Sequence, residues 1–195
     1  MRIRGPLAQR LHTLPPGAHL TLMPEQTPPT PSGDDTTAQY ELRVFADYHC
    51  FLVQDDLARP TPTEAWTEAL LRDQIATAPG ALGVGTARAM TVPVTVEVRA
   101  TPPVDENTAA WDHITQAGLH IDSGRILVSM FDNRPELPRI PIPPGTYTAR
   151  VYTAGLNTLS PNGLDGEDRY RIVLWPGQVQ QPEVLKRYPH PFPGG

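Results

Sequence analysis

The chain has 195 residues, with 24 Pro, 15 Gly, a single Cys and a formal charge of −5. High proline with few aromatics speaks against a helical bundle, and the length fits one domain with tails. The mildly acidic balance lacks the clustered Lys and Arg that phosphate contact calls for, so direct nucleic-acid binding is not expected. No run approaches the roughly 20 apolar residues of a membrane span.

Residues 1–38 contain Pro6, Pro15, Pro16, Pro24, Pro28, Pro29 and Pro31, then Ser32-Gly33-Asp34-Asp35. This composition predicts a proline-rich tail in coil and polyproline conformation, with Leu20, Leu22 and Met23 as a short docking segment. Arg2 and Arg4 imitate the start of a signal peptide, but Gln9, Arg10 and His12 interrupt any apolar stretch behind them. Cys50, the single cysteine, excludes an intrachain disulfide and fits a reducing compartment, so a cytoplasmic protein is expected.

The sandwich domain is expected over residues 39–178. Its first stretch, Tyr40 to Gln54, is the longest run free of Gly and Pro, and it alternates. Leu42, Val44, Ala46, Tyr48, Cys50 and Leu52 fall on one face, with Phe45, Phe51 and Val53 on the other. That period predicts a strand, long enough to bend or to be two strands, covered in part on both sides. The alternation places Tyr48 with the core face and Cys50 there as a small core residue.

Thr61-Pro62-Thr63-Glu64 is the clearest helix start in the chain: a capping Thr, Pro at the first helical position and a Glu that closes a capping box. Trp66, Ala69, Leu70 and Asp73 then share one helical face, so Trp66 is expected to dock this helix on the sandwich. Ala81 to Ala87 reads as a Gly-containing strand, and Val92, Val94, Val96 and Val98 alternate in the most regular strand pattern of the chain. Short strands are expected at Trp111–Ile114 and Leu119–Ile121, separated at Gln116-Ala117-Gly118, and at Arg125–Met130. Further strands follow at Leu137–Ile142, Thr146–Tyr152 and Tyr170–Trp175. Strands at such turn-marked intervals predict an all-β fold, an antiparallel β-sandwich of jelly-roll type with one short packed helix. Residues 179–195 read as a second proline-rich tail.

The motifs that hint at chemistry are weak. Gly83-Val84-Gly85 begins like a dinucleotide fingerprint, but the last Gly is absent and a Val-rich strand follows where a helix is required. Asp47 and His49 share a strand face as a candidate acid/base pair, weighed against a polar surface pair, while Cys50 points the other way. His113 and His120 lack zinc-ligand spacing. Asn162 to Asp168 clusters acids in a Gly-rich loop without the alternating ligands of a calcium loop. No serine elbow, zinc-protease helix or P-loop is present. No catalytic residue, cofactor or metal is assigned, and an enzyme is not expected.

Taken together, several short motifs resemble the competence protein J family. Tyr48-His49-Cys50-Phe51 resembles its Tyr-His-x-Phe segment, and Trp66-Thr67-Glu68-Ala69 its Trp-Thr-x-Glu segment. Pro143-Pro144-Gly145-Thr146-Tyr147 resembles its Pro-x-Gly-x-Tyr strand entry, and Asp168-Arg169-Tyr170-Arg171-Ile172 its Asp-x-Tyr-x-Ile strand. The likeness covers about residues 40–176. The family's namesake is a nuclease inhibitor associated with bacterial DNA uptake. The resemblance therefore implies a non-enzymatic sandwich that binds and blocks another protein, a basic nuclease or, as an immunity-type protein, another toxin. The chain departs from the family in its proline-rich lead, in Cys50 within the motif and in a longer loop before Asp168. Against a basic, phosphate-seeking cleft, the contact residues expected are Asp165, Glu167 and Asp168, with Asp132 and Asp105 at the rim. A ligand-binding module for carbohydrate, built on loop Asn and Asp with Trp111 exposed, is the rival class.

Overall fold

A computed structural model describes residues 36–60, 68–104, 106–130, 136–178 and 181–192. The first 35 residues, the capping motif at 61–64, Trp66, Asp105 and Asp132 lie outside the described residues, and what is expected of them rests on the sequence alone. The fold is all-β: two sheets face each other across one core, with little helix.

In chain order the strands are β1 (Thr36–Phe45), β2 (Cys50–Asp55), β3 (Ile75–Ala78), β4 (Ala81–Gly85), β5 (Thr91–Arg99), β6 (His113–Ile121), β7 (Arg125–Ser129), β8 (Arg139–Pro141), β9 (Gly145–Ala154), β10 (Arg169–Pro176) and β11 (Glu183–Lys186), with α1 (Glu68–Asp73) between β2 and β3. One sheet is ordered β1-β5-β10-β9-β6-β11, the other β3-β4-β2-β7-β8. Among the described strands, β10 runs parallel to β5 and the remaining pairs are antiparallel.

The alternating residues meet as their period requires. Val92, Val94, Val96 and Val98 of β5 and Tyr170, Ile172 and Leu174 of β10 face Phe51 and Val53 of β2 across the core. Every residue of β2 is buried, so this strand is covered on both faces. Cys50 and Leu52, on the outer face, pack with Ala76 and Met130. Burial pushes the Cys50 thiol up to about 12, so the thiolate needed for nucleophilic chemistry is suppressed.

The Tyr40–Gln54 run is two strands in two sheets. Tyr48 and His49 adopt left-handed φ values of 49° and 58°, and Asp47–His49 form a turn of 3-10 helix. The chain crosses there from one sheet to the other. Two residues off the extended conformation break the alternation, so Tyr48 stands 72% exposed rather than in the core. β6 is also one continuous strand where two short ones are expected. Gly118 sits within it opposite Thr148, and Trp111 precedes it. Past residue 178, β11 pairs with β6 and extends the six-stranded sheet.

The chain after β11 is strapped to the start of β6. The Tyr188 N–H donates to His113 Nδ1 at 3.2 Å, and the other ring nitrogen, Nε2, lies 3.1 Å from the Asp73 carbonyl. Those partners require the neutral ring with its proton on Nε2. Arg187 adds bonds to the Asp73 carboxylate and the Arg72 carbonyl. Burial, reinforced by the charge of Arg187, holds the His113 imidazole below its ordinary 6.5 despite the opposing pull of Asp73.

The unfolded chain takes up this proton at the ordinary value and the folded chain only below it. The strap's contribution is therefore present above pH 6.5 and lost as pH falls beneath it. Melting curves between about pH 7 and 5 should show a steeper fall of Tm for the wild type than for His113→Gln. Equal slopes would show that this ring does not titrate across unfolding.

Candidate protein-binding face

Strand directions bring three connections to one end of the sandwich: the β1–β2 crossing turn, the β4–β5 loop and the β9–β10 loop. Hydrogen bonds join them side by side. The Ala46 N–H donates to Met90 O at 3.0 Å, the Thr86 N–H to His49 O at 2.8 Å, and Arg88 Nη1 to Leu164 O at 3.1 Å.

The β9–β10 loop, residues 155–168, is held from within. Ser160 donates its N–H to Asp165 O at 2.8 Å and accepts the Asp165 N–H on Oγ at 3.0 Å. Thr158 Oγ1 accepts the Glu167 N–H at 2.8 Å. At Gly155, φ is 81° and an added Cβ would lie 2.4 Å from Glu167 O, so the closing of the loop demands glycine here.

The loop is fixed to the body by a buried tie. Arg88 Nε ion-pairs with Asp168 Oδ1. The Tyr170 hydroxyl donates to Asp168 Oδ2 at 2.9 Å and accepts the Ala87 N–H at 2.8 Å. Asp168 is fully buried and Arg88 nearly so. Burial and the adjacent Asp168 carboxylate raise the Tyr170 phenol well above its ordinary value, so it stays a donor.

Of the three loop acids expected at the surface, Asp165 and Glu167 are exposed. Asp168 is an internal anchor, which follows from strand parity: it stands two residues before inward-facing Tyr170. Arg88, its partner, carried no recognisable pattern in the sequence. The same end of the sandwich carries the exposed apolar side chains Phe45, Tyr48, Met90 and Leu164, together with exposed Asp47. A cleft of about 220 Å³ opens beside Phe45 between β1 and β7, lined also by Val44, Val128 and Leu137 with Arg43 and Ser129.

The other candidates resolve into local contacts. Asp47 Oδ1 accepts the Tyr48 N–H at 3.0 Å, whereas His49 Nδ1 lies 3.3 Å from Thr86 O, so the two side chains engage different partners. His120 contacts Thr146 Oγ1 and Asp122 Oδ1. Among the described residues no three His, Cys, Asp or Glu side chains are grouped to hold a metal. Gly85 lies in β4, where a Cβ would come 1.9 Å from Gln74 Oε1, so close packing accounts for this glycine. Trp111 is half-buried, with Tyr152 against it at 5.3 Å and Arg169 over its ring at 5.5 Å. It offers no open platform for a sugar.

No family model and no curated protein sequence matches the chain. Among solved structures the chain resembles ComJ of Bacillus subtilis, described as an inhibitor of the DNA-degrading activity of NucA. The TM-score is 0.52 at 19% identity, over 73% of this chain and 97% of that one. A second match, described as crocagin biosynthetic gene J, has a TM-score of 0.45 at 17% identity, over 72% of this chain and 96% of that one. The likeness to ComJ bears out in three dimensions the resemblance carried by the sequence motifs, and what it shows is the shared fold. No helix among the described residues is long and apolar enough to cross a membrane.

The tie predicts a sharp contrast between neighbouring acids. Asp168→Ala should destabilise by about 3–5 kcal/mol, because it leaves Arg88 charged and buried without its partner. Asp165→Asn should change stability by less than about 0.5 kcal/mol. Denaturant titration of both variants checks this, and equal effects would remove the anchor role of Asp168.

Proposed function

We propose that this chain is a non-enzymatic inhibitor or immunity-type protein that binds a bacterial nuclease or related toxin in the cytoplasm. The observation that carries the proposal is the rigid acidic loop: the Arg88–Asp168–Tyr170 tie holds residues 155–168 while Asp165 and Glu167 stay exposed. A fold shared with an inhibitor of a DNA-degrading enzyme supports it. A nuclease cleft is basic because it holds phosphates, and carboxylates presented on a fixed backbone would steer toward it and pair with its Lys and Arg side chains. Asp165 and Glu167 form the centre of the contact, Asp105 and Asp132 belong to its rim, and Asp168 keeps the loop in place. Blocking is steric and electrostatic and needs no chemical step. The lone buried Cys50 fits a reducing compartment.

The test is degradation of DNA by NucA, and by any nuclease encoded beside this chain's gene, with and without the purified protein. Inhibition is expected for at least one of them. Asp165→Asn combined with Glu167→Gln should slow association about tenfold at low salt and flatten its salt dependence, with Tm unchanged. Absence of inhibition across the set would overturn the function. Inhibition with an unchanged rate and salt slope would move the contact to another face.

A further inference from the structure

We infer that the crossing turn is the apolar anchor of this face, with Tyr48 entering a pocket on a basic partner protein while Phe45 and Met90 close around it. The inference rests on the function proposed above and names the residue on which affinity depends.

Tyr48 is the first observation. Its side chain is 72% exposed, yet its backbone sits at φ 49° and ψ 38°, followed by His49 at φ 58°. L side chains with a Cβ disfavour that region, and glycine or asparagine would adopt it with less strain. A bulky aromatic held there makes no contribution to the core. Strain retained at an exposed position, without a packing role, points to function.

The turn is also rigid. The Ala46 N–H bonds to Met90 O at 3.0 Å on one side, and the Thr86 N–H to His49 O at 2.8 Å on the other. The Asp47 carboxylate fixes the Tyr48 N–H itself at 3.0 Å. Beside it, Phe45 is 56% and Met90 37% exposed. Tyr, Phe and Met are the side chains enriched at protein interfaces, and a preorganised aromatic loses little freedom on binding.

Charge decides the occupant. Exposed Asp47, Asp165 and Glu167 share this end of the molecule. Among the described residues near it, Arg88 is buried and paired with Asp168, and Arg169 lies over Trp111. Arg43 is exposed beside Phe45, so this end carries the three acids against two exposed arginines. A second copy of the chain would bring these acids against one another, whereas a basic partner complements them.

Tyr48→Gly separates anchoring from folding, because glycine removes the ring and also relaxes the left-handed backbone. Inhibition of NucA and of any nuclease encoded beside the gene is measured for wild type, Tyr48→Gly and Tyr48→Phe, with Tm and sedimentation recorded for each. The expected result is a loss of affinity of about 30-fold or more for Tyr48→Gly through faster dissociation, with Tm equal to or above wild type. Tyr48→Phe should retain most of the affinity. A Tyr48→Gly protein that inhibits within about twofold of wild type overturns this inference and leaves the proposed function standing. A lower Tm makes Tyr48 structural and overturns it as well. So does a wild-type dimer that Tyr48→Gly dissociates, which would make a second copy the occupant. A wild-type protein that inhibits none of the nucleases overturns the function and this inference together.

Discussion

The end of the sandwich that carries the exposed acids depends on one buried ion pair. Arg88 comes from the connection between the two sheets and Asp168 from the last residue before β10, so their contact joins both sheets to the β9–β10 loop. Such a pair adds little net stability, since the desolvation of two charges offsets most of their attraction. Its consequence lies in what it excludes. A shifted loop would leave Arg88 and Asp168 buried apart, at a cost of several kcal/mol, and would also free the Tyr170 hydroxyl and the Ala87 N–H. The loop therefore has one well-favoured seat, and with it the exposed residues have fixed positions.

The outer face of the six-stranded sheet is organised in the same way but to a different end. Glu97 of β5 lies between Arg171 and Arg99, whose hydrogen bonds hold its carboxyl below the usual range against the upward push of burial. Arg171 lies over Tyr152 and Arg150 over Trp175, each at 5.0 Å. Guanidinium groups thus cover aromatic faces that would otherwise be open apolar surface. That face is self-satisfied, whereas at the loop end Phe45, Tyr48, Met90 and Leu164 stay exposed.

Much of the sheet framework was legible because period-two alternation is a direct readout of strand geometry. β5, β9 and β10 follow Val92–Val98, Tyr147–Val151 and Tyr170–Leu174 as the pattern requires. The failures share a cause, which is that the decisive contacts are distant in sequence. Around Tyr48 only Asp47 favours a turn, with no Gly, Pro or Asn beside it, and the left-handed pair is held also by bonds to Thr86 and Met90 about 40 residues on. Gly118 imitates a break in β6 because the local sequence does not display the partner strands β9 and β11. Within the acidic loop the sequence itself separates the acids. Asp168 continues the inward parity of Tyr170, Ile172 and Leu174, while Asp165 and Glu167 lie in irregular backbone.

The pairing of Arg88 with Asp168 also determines the field at this end. A buried pair carries no net charge, so among the described residues the field at this end comes from the exposed groups Asp47, Asp165 and Glu167 together with Arg43 and Arg169. Charges of this kind act over about a Debye length, roughly 8 Å at physiological salt, which is far enough to orient an approaching basic surface. They are too hydrated to hold it for long, because exposed ion pairs contribute at most about 1 kcal/mol each. Persistence calls for apolar burial, and the apolar groups at hand are those of the strained turn and its neighbours. Left-handed backbone at two residues with Cβ atoms costs about 1–2 kcal/mol apiece, and that cost is met by the two hydrogen bonds that clamp the turn between the sheets. In the contact proposed above, electrostatics would govern arrival and the aromatic side chain departure, and both are positioned by the same short set of bonds among residues 46–49, 86–90 and 164–170.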